Sequence, residues 1–156
     1  MVSDIGLDKN GTAKTAEGLN QYLADLHILY AKLHAYHWNI EGPMFFPLHE
    51  KLQEIYEAVA ESIDEIAERI LMIGHRPLTK LGDYQAHAKI KEVESRKIGD
   101  QDMVGDLLAD HQYLIKTLRG IIEVAGESND EGSADLAIAE LRAHEKTVWM
   151  LSAHLG

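Results

Sequence analysis

Two histidines and two carboxylates hold the chemistry that this sequence can perform. His37 and His49 stand six residues to either side of Pro43, and Asp64 and Glu68 lie four apart further along. Imidazole nitrogens and carboxylate oxygens form a donor set suited to iron, zinc or manganese. The chain has no cysteine, so thiolate ligands, iron–sulfur clusters and disulfides are excluded.

These four residues need elements to position them. Residues 20–40 and 44–73 carry apolar positions at helical spacing, with the turn-forming Glu41-Gly42-Pro43 between them, and so predict an antiparallel helix pair, A and B. Folding that hairpin sets His37 and His49 at one level, where two imidazoles can share a metal ion. Asp64 and Glu68, spaced i, i+4, share one face of helix B. His49 and Asp64 are separated by roughly 22 Å along that helix, at ~1.5 Å per residue, so no single ion spans them.

The conflict disappears if helix B packs antiparallel on helix B of a second copy, with a two-fold axis near Tyr56 to Ala60. Each pair of histidines then meets the carboxylates of the other copy, and two equivalent sites form. Helix B has a face for this contact: His49, Gln53, Tyr56, Ala60, Asp64, Ala67 and Leu71 run beside the core stripe of Phe45, Leu48, Leu52, Ile55, Val59, Ile63, Ile66 and Ile70. Helix A shows the same doubling, with Tyr22, Leu29, Tyr36 and Ile40 beside a stripe running from Leu19 to His37.

The rest of the chain completes an all-α pattern. Residues 1–13 read as a flexible arm and residues 14–156 as one domain. Helix B ends at Gly74 and the Arg76-Pro77 break. Residues 75–99 form a long connection with a short helix expected around Leu81 to Ala88, a length that fits a crossover in a four-helix bundle. Helix C is expected over Asp102 to Ala125 and helix D over Ser133 to His154, with Gly126 to Gly132 as the turn.

The motif H-W-N-x-x-G from His37, a histidine twelve residues after it, and D-E-x-A-E-R from Asp64 together resemble the signature of the Dps family, the dodecameric mini-ferritins. The resemblance covers nearly the whole chain, including the closing T-V-W-M-L-S-A-H-L. It implies a ferritin-like four-helix bundle with a long B–C crossover carrying a short helix, assembled as a hollow homododecamer. It also implies His37, His49, Asp64 and Glu68 as iron ligands shared between two-fold-related subunits; zinc could bind the same nitrogen and oxygen donors. The implied activity is a ferroxidase: ferrous iron is oxidised by hydrogen peroxide, or more slowly by dioxygen, and ferric mineral is stored in the shell. Many members carry an aspartate four residues after the second histidine, and Gln53 stands there in this chain, which should weaken the second iron position.

Further roles follow from the same resemblance. Trp38 would stand near the site, where its indole could intercept oxidising equivalents, although packing at the hairpin end also accounts for it. Some of Glu50, Glu54, Glu57 and Glu61 would seed mineral, although such a line is also an ordinary solvated face. Asp130, Glu131 and Asp135 would surround the three-fold pores, although acidic residues also stabilise a helix N-terminus without further purpose. The remaining histidines, His27, His34, His75, His87, His111, His144 and His154, are expected to be surface or packing residues.

Composition excludes several classes. A chain of 156 residues with 46% hydrophobic content is one domain's worth. No apolar run is long enough to span a membrane and no secretory leader is visible, so the expected location is the cytoplasm, its nucleoid included. The 15 basic and 26 acidic residues give a formal charge of −11, which repels nucleic acid and attracts cations. DNA compaction without catalysis is the alternative, and it requires a basic arm that the sequence lacks. A larger di-iron bundle of the ferritin or rubrerythrin kind requires Glu-x-x-His, and no glutamate here has a histidine three residues later.

Overall fold

The computed structural model describes residues 4–156; residues 1–3 of the predicted arm lie outside the described residues. Its elements are α1 (Ala13–Asn39), α2 (Phe45–Met72), α3 (Leu81–His87), α4 (Asp100–Glu127) and α5 (Glu131–Leu155). The described residues contain no named strand, and one isolated bridge joins Ile40 to Ile98. The predicted helices are all present; helices B, C and D and the short crossover helix, α3, end within about two residues of their expected positions, whereas α1 begins at Ala13, well ahead of residue 20, where the predicted pair opens.

Side-chain contacts fix the directions of the four long helices. Thr12 hydroxyl meets the Ile73 carbonyl while His37 meets His49, so α1 and α2 are antiparallel. Arg119 pairs with Glu145 and Asp100 with His154, so α4 and α5 are antiparallel as well. Lys32 pairs with Asp106 and Asp110, and Gly18 faces Ile121, so α4 runs against α1 and therefore along α2. Parallel α2 and α4 require the chain to travel back along the bundle, about 40 Å at ~1.5 Å per residue. The crossover that holds α3 makes that return.

Asp25 ties the crossover down. Its carboxylate is fully buried and accepts the backbone N–H of Lys89 at 2.6 Å and of Ile90 at 3.0 Å, plus the Tyr113 hydroxyl at 2.8 Å. Asn20 donates to the Arg76 carbonyl and accepts from Leu78 N–H, and His27 stacks on Tyr84 with centroids 3.7 Å apart. A buried carboxylate is tolerated because every partner here is a donor.

Both tight helix ends use one device. After α2, Gly74 takes φ 88°, and the N–H groups of Gly74 and His75 donate to the carbonyls of Leu71 and Ile70. After α4, Asn129 takes φ 53°, and Asn129 and Asp130 donate to Gly126 and Ala125. Both are Schellman closures, which satisfy carbonyls that the helix leaves without partners. Asp130 also caps α5 by accepting Ser133 N–H at 3.0 Å.

The core runs the length of the bundle, with Leu19, Leu23, Leu26, Leu29 and Leu33 of α1 against Leu52, Val59, Ile66 and Ile70 of α2. The second apolar row of α1 is buried too, because α1 touches α2, α3 and α4. Residues 4–12 of the arm are anchored at their distal end. Leu7 packs on the core, and Thr12 is fully buried, bonded to the Lys9 and Ile73 carbonyls and to His75.

Candidate metal centre

The α1–α2 hairpin brings His37 and His49 face to face, ring centroids 3.6 Å apart and planes 16° from parallel. Their bonding is reciprocal: His37 Nδ1 lies 2.8 Å from the His49 carbonyl and His49 Nδ1 lies 2.8 Å from the His37 carbonyl. A carbonyl only accepts, so each Nδ1 carries the hydrogen and each ring keeps Nε2 for a metal. Metal-ligating histidines are held in this way, with the outer nitrogen fixed by an acceptor. Tyr56 closes the pocket edge-on to His37 at 5.3 Å, and Phe45 stacks on His49 at 4.9 Å.

Asp64 and Glu68 are exposed and make no hydrogen bond or ion pair among the described residues. They stay on the distant part of α2, and no group of three or more histidine, aspartate or glutamate side chains gathers within the described residues to hold a metal. Two separate donor pairs therefore stand on α2 and its neighbour: a rigid pair of imidazole nitrogens at one end and an open pair of carboxylates at the other. Between them on α2 lie Gln53 and Ala60, both exposed, and the half-buried Tyr56, a face that the described residues leave uncovered. Gln53 donates to Glu57 at 2.8 Å, and Trp38, 70% exposed, stands beside this face with its ring 5.3 Å from that of His34. Glu50, Glu54, Glu57 and Glu61 are all exposed.

Two expectations need correction. Asp130, placed among the pore residues, is 1% exposed, caps α5 and is ion-paired to Arg69 of α2, so its carboxylate faces inward. Glu131 and Asp135 remain exposed. Likewise, His111 and His144 form a specific buried constellation, at 1% and 6% exposure, in place of separate surface or packing residues. Their Nδ1 atoms are 2.8 Å apart, and His144 Nε2 lies 2.7 Å from the Tyr22 hydroxyl, which donates to Glu140 at 2.6 Å. Burial holds His111 down to about 3, with His144 as the second cause, and holds His144 down to about 4. The sequence carried a signal for both: His111 continues the row Leu107, Leu114, Leu118, and His144 the row Ala137, Leu141, Leu151. The other five histidines are half-buried or exposed and pack locally.

No helix among the described residues is long and apolar enough to cross a membrane. Residues 16–156 match the family model described as a ferritin-like domain. A DNA protection during starvation protein of Bacillus anthracis is 40% identical over 140 residues, covering 90% of this chain and 95% of its own. Its counterpart in Porphyromonas gingivalis is 40% identical, covering 96% and 93%. Among solved structures, Vibrio cholerae O1 Dps, a ferritin-like diiron-carboxylate protein, superposes with a TM-score of 0.93 at 39% identity, covering 100% of this chain and 98% of that one. With its all-helical bundle, its crossover and its paired histidines, the chain belongs to the Dps family of ferritin-like proteins.

Proposed function

We propose that the protein is a ferroxidase and iron store whose sites form only between subunits. Helix α2 packs antiparallel on α2 of a second copy about an axis near Tyr56 to Ala60. His37 and His49 then face the partner's Asp64 and the partner's Glu68, and six such dimers close a shell of twelve. The observation that carries this reading is the crossed His37–His49 hydrogen bonding, which presents two Nε2 donors with only half a coordination sphere. The free carboxylates at the other end of the same uncovered face supply the missing half.

Ferrous iron is the substrate. Carboxylate oxygens stabilise the ferric product over the ferrous reactant and so ease loss of the electron, while the imidazoles retain ferrous iron. Hydrogen peroxide takes two electrons and two protons to give two waters, and dioxygen is the slower oxidant. Zinc fits the same donors and would occupy the site without turnover. The exposed Glu50, Glu54, Glu57 and Glu61 supply hard oxygen donors for ferric ions at the inner wall, and Glu131 and Asp135 a negative field at the entry pores.

Anaerobic ferrous titration followed by peroxide, comparing the parent with His37→Ala and Asp64→Ala, tests the reading. Parental oxidation rates in both variants overturn it. Direct DNA binding is the weaker reading because of the net charge of −11. A plasmid gel shift at neutral pH and low salt, lost on removal of residues 1–14, would restore it.

A further inference from the structure

Directly behind the carboxylate half of the proposed site, inside the bundle, lies a polar chain that the ferroxidase reading does not use. Five residues from four helices take part: Tyr22 of α1, Ser62 of α2, His111 of α4, and Glu140 and His144 of α5. Ser62 donates to Glu140 Oε1 at 2.9 Å and Tyr22 to Glu140 Oε2 at 2.6 Å. Having spent its one hydrogen on Glu140, the Tyr22 hydroxyl must accept from His144 Nε2, 2.7 Å away. His144 Nδ1 is then bare and accepts from His111 Nδ1 at 2.8 Å, which leaves His111 Nε2 without a hydrogen, buried and without a partner among the described residues. One carboxylate thus sets every proton in the chain.

The arrangement suits a particular chemistry. Tyr22 is wholly buried, and burial together with Glu140 holds its phenol well above the ordinary range, so it keeps its proton at rest. Such a phenol loses an electron only if its proton leaves in the same step. Glu140 stands at 2.6 Å as the base, and the His144 N–H stays behind to hydrogen-bond the phenoxyl oxygen. A cleft of about 200 Å³ lined by Ser62, His111, Glu140 and His144 gives the displaced proton access to water.

Position supplies the partner. Ser62 touches Glu140, and Asp64, two residues on, points about 200° away around α2 at ~3.6 residues per turn. Ser62 and the Asp64 carboxylate therefore lie on opposite sides of a single helix about 10–12 Å in diameter, and the Tyr22 phenol stands one carboxylate further in, beyond Glu140. We propose that Tyr22 is redox-active and supplies one electron to peroxide reduction at the adjoining iron site while its proton passes to Glu140. This rests on the ferroxidase reading above.

The need arises from Gln53. An amide where a carboxylate would hold the second iron favours sites carrying one ferrous ion, and one ferrous ion alone splits peroxide to hydroxide and a hydroxyl radical. With Tyr22 as the second donor, Fe²⁺, the phenol, H₂O₂ and one proton give Fe³⁺, the phenoxyl radical and two waters. The phenol's own proton rests on Glu140 and a solvent proton replaces it at the peroxide. The next ferrous ion returns an electron, and the phenoxyl recovers its proton from Glu140.

The test loads the assembled protein anaerobically with one ferrous ion per subunit, mixes it with peroxide and freeze-quenches it for electron paramagnetic resonance. The expected result is a tyrosyl signal in the parent that narrows when the protein is grown on ring-deuterated tyrosine and disappears in Tyr22→Phe. Spin-trapped hydroxyl radical per ferrous ion oxidised should rise several-fold in that variant. A tyrosyl signal that survives in Tyr22→Phe, or its absence from a parent that oxidises iron, overturns the relay alone. A parent that leaves ferrous iron unoxidised overturns the ferroxidase reading and the relay with it. Glu140→Gln keeps the phenol and an acceptor oxygen but removes the base, and should cut the radical yield several-fold. An undiminished yield in Glu140→Gln overturns the proton's assigned path.

Discussion

His49 and Asp64 share one face of α2 and stand about 22 Å apart along it, with Gln53, Tyr56 and Ala60 between them. That separation makes sharing of the site testable by complementation. His37→Ala and Asp64→Ala should each be inactive alone. Co-assembled, a mixed dimer has one doubly damaged site and one intact site, so activity should return to a sizeable fraction of the parental value. Ferrous oxidation after refolding the mixture checks this, and no recovery in correctly assembled mixtures counts against a shared site.

Gln53 is exposed and, among the described residues, its side chain bonds to Glu57 alone, so its replacement disturbs no packing. Gln53→Asp should raise the number of ferrous ions bound per subunit from near one towards two. Anaerobic calorimetric titration measures that number, and an unchanged stoichiometry would show that position 53 is not a ligand.

The reassignment of Asp130 separates two kinds of acidic residue. Removing it takes away a helix cap, worth about 1 kcal/mol, and leaves the Arg69 guanidinium without its counter-charge. Asp130→Ala should therefore cost about 3 kcal/mol or more, lowering the melting temperature by roughly 6–12 °C. Glu131→Gln and Asp135→Asn should leave melting unchanged and slow iron entry, as followed by ferric absorbance. If Asp135→Asn melts early and takes up iron at the parental rate, the pore role is wrong.

The buried histidine pair predicts a pH dependence. His111 and His144 are held down to about 3 and about 4, while an imidazole in the unfolded chain titrates near 6.5. Between about pH 6.5 and about pH 4 the unfolded chain therefore binds more protons than the folded one, and stability falls as pH falls through that window. The contribution is fully present above 6.5. Melting temperature against pH should drop less steeply over this range in a His111→Gln, His144→Gln double variant than in the parent.

How much of this could be read in the sequence depended on distance along the chain. The hairpin was legible because Gly42-Pro43 interrupts two strong 3.6-residue patterns and because equal spacing from Pro43 levels His37 with His49. The crossed carbonyl bonds that fix their rings were not, since these depend on local backbone geometry. His111 and His144 lie on helices joined by the α4–α5 turn, and their pairing needs the bundle's register, which spacing within one helix does not give. Asp130 shows the same limit: its acidity and helix-start position were plain, but Arg69 is 61 residues away and its reach could not be foreseen.

The α4–α5 turn has a mechanical consequence. Asn129 and Asp130 close one helix while Asp130 opens the next and holds a third, so a single residue inserted there would undo both helix ends and the link to α2. Residues 91–97 are held by far less: among the described residues, Val93 packs on the core, Lys97 pairs with Glu41, and Ser95 makes a long contact to Asn39. Grafted peptides or labels therefore belong in that stretch, where the architecture can carry foreign cargo without being rebuilt.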